Sequence, residues 1–224
     1  LPDIETITGE HTMVVSLLNG VDSEELIGQR IGMEHMIYSL IRIASHRIGN
    51  SIHFSLPKGY NGIYIGIPNQ PACQDPRLAA IAEIFADTPV TLHLSDDILL
   101  DMWDKFGLNV SRNLPQAILG VGIGVYDDSI YADAIMRRMR HEVVLVANAK
   151  GIPLTDEFKA AKWLPSQRYS TLQDLDAHRH TEIDMFSGAL IRMGKEVGVE
   201  CPYNEMTYNL IKALEEKNDG KFDY

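Results

Sequence analysis

The sequence predicts a mixed α/β N-terminal part followed by an all-helical C-terminal part, with a boundary near residue 95. Before this point, short runs of β-branched and aromatic residues alternate with two helical patterns. After it, the apolar patterns repeat at the helical period, and they are separated by glycine- and proline-containing breaks such as KGIPL and VGVECP. The predicted domains are therefore residues 1–95 and residues 96–224.

The N-terminal elements follow from apolar runs between turn residues. The run TMVVSLLNG, residues 12–20, ends in Asn-Gly and predicts a buried strand closed by a turn. The next stretch, VDSEELIGQRIG, opens with two capping residues and predicts a brief helix. Residues 35–67 predict a strand-rich segment with hairpin-like turns. Residues 75–89 predict a helix with Pro76 in its first turn, and VTLHLSD predicts the strand that follows.

The C-terminal part is predicted to be a series of helices joined by short connections. They cover residues 97–119, 128–150, 155–163, 170–197 and 204–217. The glycine-rich stretch GVGIG, residues 120–124, has one residue too few for the Gly-x-Gly-x-x-Gly dinucleotide loop. It also follows a predicted helix rather than a strand, so it is predicted to be a break between helices.

Composition narrows the classes of partner. The formal net charge of −11, with 20 Lys and Arg against 31 Asp and Glu, would repel nucleic acid phosphates. No apolar run approaches the roughly 20 residues that span a bilayer, so no membrane association is expected. Cys73 and Cys201 stand far apart in a chain too long to need a disulfide. They predict reduced thiols and a cytoplasmic location.

A polar row on one predicted helix is the first candidate site. Lys105, Asn109 and Asn113 follow one another at intervals of four residues. Such residues are displaced by about 6 Å along a helix axis and about 40° around it, so the three side chains share one side. They could line a cleft, and an ordinary solvated helix face is the alternative that spacing alone leaves open.

The second candidate is the stretch YSTLQDLDAHRHTEID, residues 169–184. Ser170 is predicted to cap a helix, and Glu182 is expected three turns further along it. His178 and His180 are two residues apart and would point to different sides of a helix, so no metal site is predicted. The alternative for the charged residues of this stretch is a salt-bridged surface helix.

Four segments together resemble the ketopantoate reductase family, in the family's order and at suitable distances. They are LLNGVDSEEL, SDDILLDMWDKFGLNVSRNLPQAI, STLQDLDAHRHTEID and GVECPYNEMTYNLIKALE. The resemblance implies a Rossmann dinucleotide-binding domain, of which residues 1–95 are the C-terminal part. It further implies that residues 96–224 form an all-α catalytic domain of the 6-phosphogluconate dehydrogenase C-terminal-like type, with the active site between the two domains.

The resemblance also implies roles for individual residues. Lys105 matches the catalytic lysine that acts as general acid on the substrate carbonyl, and Glu182 matches a catalytic glutamate beside the cofactor. Asn109, Asn113 and Ser170 match substrate-binding positions. The expected cofactor is NADPH, with a contact from the asparagine of LLNG, Asn19. The expected reaction reduces a small 2-oxo acid, foremost 2-dehydropantoate to pantoate in pantothenate and coenzyme A biosynthesis. The sequence does not give the oligomeric state, and a homodimer is left open because relatives are often dimers.

Several departures from the family pattern limit these implications. Ile123, Gln167 and Ser187 stand where the family commonly has asparagine, which weakens selection for 2-dehydropantoate itself. The family's Gly-rich phosphate loop would lie upstream of LLNGV and is not part of these 224 residues. The chain is therefore expected to bind NADPH poorly and to be inactive by itself.

Two other functions remain open at this level. The first is a related dehydrogenase that acts on a different hydroxy acid, which the departures at Ile123 and Gln167 permit. The second is a non-catalytic binding or dimerisation module that keeps the helical scaffold. Lys105 discriminates between them, because a scaffold does not need it.

Overall fold

A computed structural model describes residues 2–43, 45–48, 51–54, 59, 61–158, 164–222 and 224. The chain divides into two compact units, Leu1–Met102 and Trp103–Tyr224. The domain division at residues 95 and 96 stays a prediction of the sequence.

The first unit combines short strands with a few helices. Its strands are β1 (Val14–Val15), β2 (Met36–Arg42), β3 (Ser45–Ile48), β4 (Ser51–Phe54), β5 (Gly62–Gly66) and β6 (Leu92–Leu94). Its helices are α1 (Pro2–Ile7), α2 (Ser23–Ile31) and α3 (Pro76–Phe85), with 3₁₀ turns at Met33–His35 and Ala72–Gln74. The strand-rich segment and both helices predicted for this part are confirmed.

Four of these strands form one mixed sheet in the order β1-β2-β5-β6. β1 runs parallel to β2, β2 antiparallel to β5, and β5 parallel to β6, whereas β3 and β4 pair as a separate antiparallel hairpin. The strand predicted within residues 12–20 is present but short. Its ladder ends at Val15, and the carbonyl of Ser16 then accepts a hydrogen bond from the hydroxyl of Ser39.

The core of the first unit lies between this sheet and α3. Ile37, Ile63 and Ile65 from the strands are buried with Leu78 and Ile81 from the helix. α3 begins as predicted, with Pro76 as its first residue, and the Asp75 carboxylate caps it by accepting a hydrogen bond from the Arg77 N–H at 3.0 Å. Alternating apolar strand residues and one apolar helix face thus account for this layer.

The regular elements described in the second unit are all helical. These are α4 (Ile98–Leu108, which starts in the first unit), a π turn (Asn109–Asn113), α5 (Leu114–Leu119), α6 (Val125–Asp128), α7 (Ile130–Ala149), α8 (Ser170–Asp176), α9 (Ser187–Val197) and α10 (Pro202–Asn218). α7 is the central helix, since it contacts the π turn, α5, α6, α9 and α10. The predicted helices over 97–119, 128–150 and 204–217 are confirmed.

One predicted helix is wrong as drawn, because residues 170–197 form two helices with a turn between them. α8 ends after Asp176, and His178 adopts a left-handed conformation with φ 51°. The N–H of Arg179 donates to the Asp174 carbonyl at 2.8 Å, and the N–H of His178 donates to the Leu175 carbonyl at 3.1 Å. These two bonds are a Schellman motif, which satisfies the last carbonyls of a helix and ends it.

The helix predicted over residues 155–163 is wrong for its first part, because residues 155–158 are not helical. Residues 159–163 lie outside the described residues. Both cysteines are free thiols, as predicted. Cys201 is buried, and this burial raises the pKa of its thiol to about 12. Within the described residues, no helix has the length and apolarity that crossing a bilayer requires.

Candidate active site

The polar row predicted from the sequence lies on one continuous helical segment of the second unit. Lys105 is in the last turn of α4, and Asn109 and Asn113 are the first and last residues of the π turn. Lys105 and Asn109 are half-buried, whereas Asn113 is only 4% exposed. The alternative of an ordinary solvated face therefore does not describe the whole row, because one of its three members is buried.

The π turn straightens this row. Residues four apart in an α-helix overshoot a full turn by about 40°, whereas in the wider i→i+5 turn they fall short of one. Lys105 and Asn109 are therefore offset around the helix axis in one direction, and Asn113 is offset from Asn109 in the opposite direction. The three side chains lie closer to one line than they would on a regular α-helix. Pro115 supplies a reason for the π turn, because its ring would clash with the carbonyl four residues earlier in a regular α-helix.

Asn113 has an unused hydrogen-bonding atom inside the protein. Its side-chain oxygen is buried and has no hydrogen-bond partner among the described residues, and the Thr171 hydroxyl of α8 is in the same condition. A buried polar atom without a partner costs about 1–3 kcal/mol. Such atoms are retained where a ligand or an ordered water completes them, and this supports the interpretation of Asn113 as a binding residue.

Gln116 attaches the Ser170 region to the same helical segment. Its fully buried side chain donates from Nε2 to the Gln167 carbonyl at 2.8 Å and accepts through Oε1 from the Tyr169 N–H at 2.9 Å. Ser170 follows directly as the first, exposed residue of α8. The predicted capping role of Ser170 is wrong, because Tyr169 occupies the N-cap position and no side chain caps this helix.

The glycine-rich stretch 120–124 forms the predicted break between helices, and its glycines have a packing role. The Gly124 N–H donates to the Pro165 carbonyl at 2.9 Å. A Cβ atom on Gly122 would lie 2.2 Å from that carbonyl oxygen, and one on Gly124 would lie 2.7 Å from the Pro165 side chain. Glycine is therefore required for this close approach, which has no relation to phosphate binding.

Two positions that depart from the family pattern have structural roles in this chain. Ile123 is buried in an apolar cluster with Tyr126 and Met136. Ser187 is fully buried, and its hydroxyl donates to the Asn204 side-chain oxygen at 2.9 Å. Neither side chain is therefore available to replace an amide that contacts substrate.

Glu182 lies in the turn between α8 and α9, which corrects its predicted place three turns along one helix. Its side chain is half-buried. The preceding residue, Thr181, is held from α10, because the Glu215 carboxylate accepts hydrogen bonds from the Thr181 N–H and hydroxyl, each at 2.7 Å. The convergence of Glu182 with Lys105 on one cavity stays a prediction.

Arg179 and His180, beside this turn, contact carboxylates at the surface. Arg179 contacts Asp174 at 2.6 Å, and His180 contacts Asp219 at 3.0 Å. These pairs agree with the salt-bridged surface that was the alternative for this stretch. In the described part of the chain, no group of three His, Cys, Asp or Glu side chains could hold a metal ion.

Asn19, the predicted cofactor contact, belongs to the first unit. It is half-buried in the loop that follows β1. β1 and β2 are parallel, and ligands of parallel α/β sheets bind beyond the carboxyl ends of such strands. The loop is therefore suitably placed for a cofactor contact, and the role of Asn19 stays a prediction.

The chain thus joins a mixed sheet and its helices to an all-helical unit, in which a half-buried lysine, a half-buried amide and a buried amide follow one another along one helical segment. Comparisons with known proteins identify the family. Residues 1–70 match the family model described as ketopantoate reductase PanE/ApbA, and residues 97–215 match the model of its C-terminal part. The chain belongs to the ketopantoate reductase family and is an oxidoreductase of that type.

Individual relatives agree with this assignment. The chain is 28% identical to the 2-dehydropantoate 2-reductase of Caulobacter vibrioides over 218 residues, which cover 94% of this chain and 71% of the relative. Its fold is similar to that of the PanE/ApbA family ketopantoate reductase of Ralstonia eutropha JMP134, with a TM-score of 0.80, 24% identity and coverage of 96% and 71%. It is also similar to D-mandelate dehydrogenase in complex with NADH and anilino(oxo)acetate, with a TM-score of 0.83, 24% identity and coverage of 97% and 72%.

These matches confirm the predicted fold class, a Rossmann-like sheet followed by a helical C-terminal domain. Sequence reasoning missed three residues that shape the candidate site: Gln116, Thr171 and Glu215. The signal for Gln116 was a polar residue on the apolar side of a predicted helix. Glu215 gave no local signal, because its partner is 34 residues away in sequence.

Proposed function

We propose that the protein uses NADPH to reduce a 2-oxo acid to a 2-hydroxy acid, with 2-dehydropantoate as the substrate and pantothenate biosynthesis as the pathway. The observation that carries the proposal is the row of Lys105, Asn109 and Asn113, in which the buried Asn113 oxygen has no partner among the described residues. A row of one cation and two amides suits a small molecule with a carbonyl, a carboxylate and a hydroxyl.

Each residue of the row has a chemical task in this proposal. Lys105 holds its ammonium at the carbonyl oxygen, stabilises the negative charge that develops there and donates the proton. Asn109, Asn113 and Ser170 orient the carboxylate and hydroxyl groups without adding charge. Glu182 lies beside the reacting centre and the cofactor.

Asn19 and Glu182 are the two proposed cofactor contacts. Asn19 follows the carboxyl end of a parallel strand, where ligands of α/β sheets bind, and its amide suits a polar group of a nicotinamide cofactor. When bound, NADPH would supply the hydride. D-mandelate dehydrogenase, whose fold is similar, was crystallised with NADH, so the choice between the two cofactors belongs to the proposal.

Steady-state kinetics of the complete protein test the proposal. We expect NADPH oxidation with 2-dehydropantoate, at a higher kcat/KM than with NADH or with other 2-oxo acids. A higher kcat/KM with an aryl-substituted 2-oxo acid would favour the related dehydrogenase, which the departures from asparagine at Ile123 and Gln167 permit. Absence of turnover with every 2-oxo acid would favour the non-catalytic module. The homodimer and the cytoplasmic location stay predictions.

The 224-residue chain by itself gives a separate prediction. We expect it to bind NADPH weakly and to show no reductase activity, since it contains no Gly-x-Gly-x-x-Gly sequence to hold the cofactor's pyrophosphate. Isothermal titration calorimetry of this chain with NADPH measures the affinity directly. A dissociation constant on the order of micromolar, about −8 kcal/mol, would contradict the expectation.

A further inference from the structure

Glu215 of α10 is a buried carboxylate outside the polar row. Its side chain is 2% exposed, and an isolated charge at such a site would be strongly unfavourable. Through Oε1 it accepts hydrogen bonds from both the N–H and the hydroxyl of Thr181, each at 2.7 Å. Through Oε2 it accepts one from the Lys212 ammonium at 2.8 Å. Both oxygens of the carboxylate therefore accept hydrogen bonds, and the bonds to Oε1 come from Thr181.

The charge of Glu215 is maintained by these contacts. Burial raises the pKa of the carboxyl, but the hydrogen bonds from Lys212 and Thr181 outweigh it, so the pKa of Glu215 lies below its usual value. At neutral pH the group is ionised, and its bonds to Thr181 are charge-assisted, which makes them stronger than neutral ones. His180 also faces the carboxylate, with its Nδ1 3.7 Å from Oε2.

The bonds from Glu215 fix the backbone on which Glu182 stands. The Thr181 hydroxyl also accepts a hydrogen bond from the Ile183 N–H at 3.2 Å, and Ile183 is fully buried. The Glu182 carbonyl accepts from the Met185 N–H at 2.9 Å, which closes the turn. Both neighbours of Glu182 are thus anchored, and the only long-range polar anchor among these contacts is Glu215.

We propose that Glu215 is a positioning residue for Glu182: it holds the Thr181 backbone and so sets the direction of the Glu182 side chain, without contacting the substrate. This inference rests on the proposed function, in which Glu182 acts beside the reacting centre. A displacement of about 1 Å of a catalytic group can cost on the order of 10²-fold in rate, so an anchor of this kind has a measurable effect.

A set of variants of the complete protein tests the inference. We expect Glu215→Ala to lower kcat on the order of 10²-fold, with much less change in KM. Thr181→Val keeps the branched shape and removes the hydroxyl bond, and it is expected to lower kcat about tenfold. Glu216→Ala is the matched control, because the Glu216 side chain is 44% exposed and pairs only with Lys221 among the described contacts. Circular dichroism and thermal unfolding show which variants are folded.

A double-mutant cycle separates positioning from a purely structural role. If Glu215 acts through Glu182, then Glu215→Ala should cost little further kcat once Glu182→Gln is present. Fully multiplicative losses, or normal turnover by folded Glu215→Ala and Thr181→Val variants, would overturn the inference. Normal turnover by Glu182→Gln itself would instead contradict the role that the proposed function gives to Glu182.

Discussion

Replacing Lys105 with alanine is expected to lower the kcat of the complete protein on its best 2-oxo acid by on the order of 10²–10⁴-fold. The expected loss is large because the ammonium has two tasks in the proposed reaction. It stabilises the charge that develops on the carbonyl oxygen, and it delivers the proton to that oxygen. Stopped-flow and steady-state kinetics at saturating cofactor measure the change, and KM should move much less than kcat.

Two further substitutions sharpen this test. Lys105→Arg keeps a positive charge, but a guanidinium with a pKa above about 12 is a poor proton donor, so it should not restore turnover. Lys195→Ala removes an equal charge from an exposed position on α9 and should leave kcat unchanged. Normal turnover by a folded Lys105→Ala variant would show that the polar row is structural, as in the scaffold alternative.

The sequence predicted those elements whose cause is local. Pro76 starts α3 as expected, because its fixed φ acts within one turn. The Asp75 cap is equally local, although it was not predicted. The helix pattern over residues 97–119 was also correct, because apolar residues on one side of it pack against α7. In both cases the information lies within a few residues of the element itself.

The π turn was missed although its signal was present. Pro115 lies inside the predicted helix, where its ring excludes regular α-helical geometry at Ser111. The alignment of Asn109 and Asn113 depends on whether the backbone avoids this clash by forming a π turn or by a kink. Apolar periodicity carries no information on that choice, since a π turn and an α turn bury similar faces.

The break after α8 was missed for a different reason. His178 takes the left-handed conformation that glycine or asparagine commonly occupies, so no residue type marked the end of the helix. The turn that follows is held by the bond from Thr181 to Glu215, 34 residues away in sequence. Ser170 is positioned by the bond from its neighbour Tyr169 to Gln116, 53 residues away. Such contacts depend on how helices pack, and residue spacing does not encode them.

Arg140 of α7 is the largest fully buried side chain among those described, and it joins three parts of the helical unit. It contacts Asp104 of α4 at 3.3 Å and donates to the carbonyls of Thr155 at 3.0 Å and Glu157 at 3.4 Å. Burial lowers the pKa of this guanidinium, and the nearby Asp104 carboxylate opposes the shift. A Cβ on Gly107 would lie 2.1 Å from Arg140 Nη1, so the guanidinium fills the space that this glycine leaves.

We therefore expect Arg140→Met to lower the free energy of unfolding of the helical unit by about 3–5 kcal/mol. Methionine fills much of the volume but removes the guanidinium that contacts Asp104 and donates to the Thr155 carbonyl. Trp103 belongs to this unit and is buried in it, so tryptophan fluorescence during urea unfolding reports this unit. The midpoint should fall by about 2 M if the slope is the usual one for a small unit.

Arg137→Met is the matched control for this prediction, because it removes the same side chain from the same helix at an exposed position. Arg137 is 67% exposed and pairs with Asp133 one turn away at 2.7 Å, so its loss should cost at most about 0.5 kcal/mol. The contrast between the two variants isolates burial as the cause, since both lose the same charge and the same side-chain atoms. Equal midpoint shifts for Arg140→Met and Arg137→Met would show that the Arg140 cluster does not stabilise the helical unit.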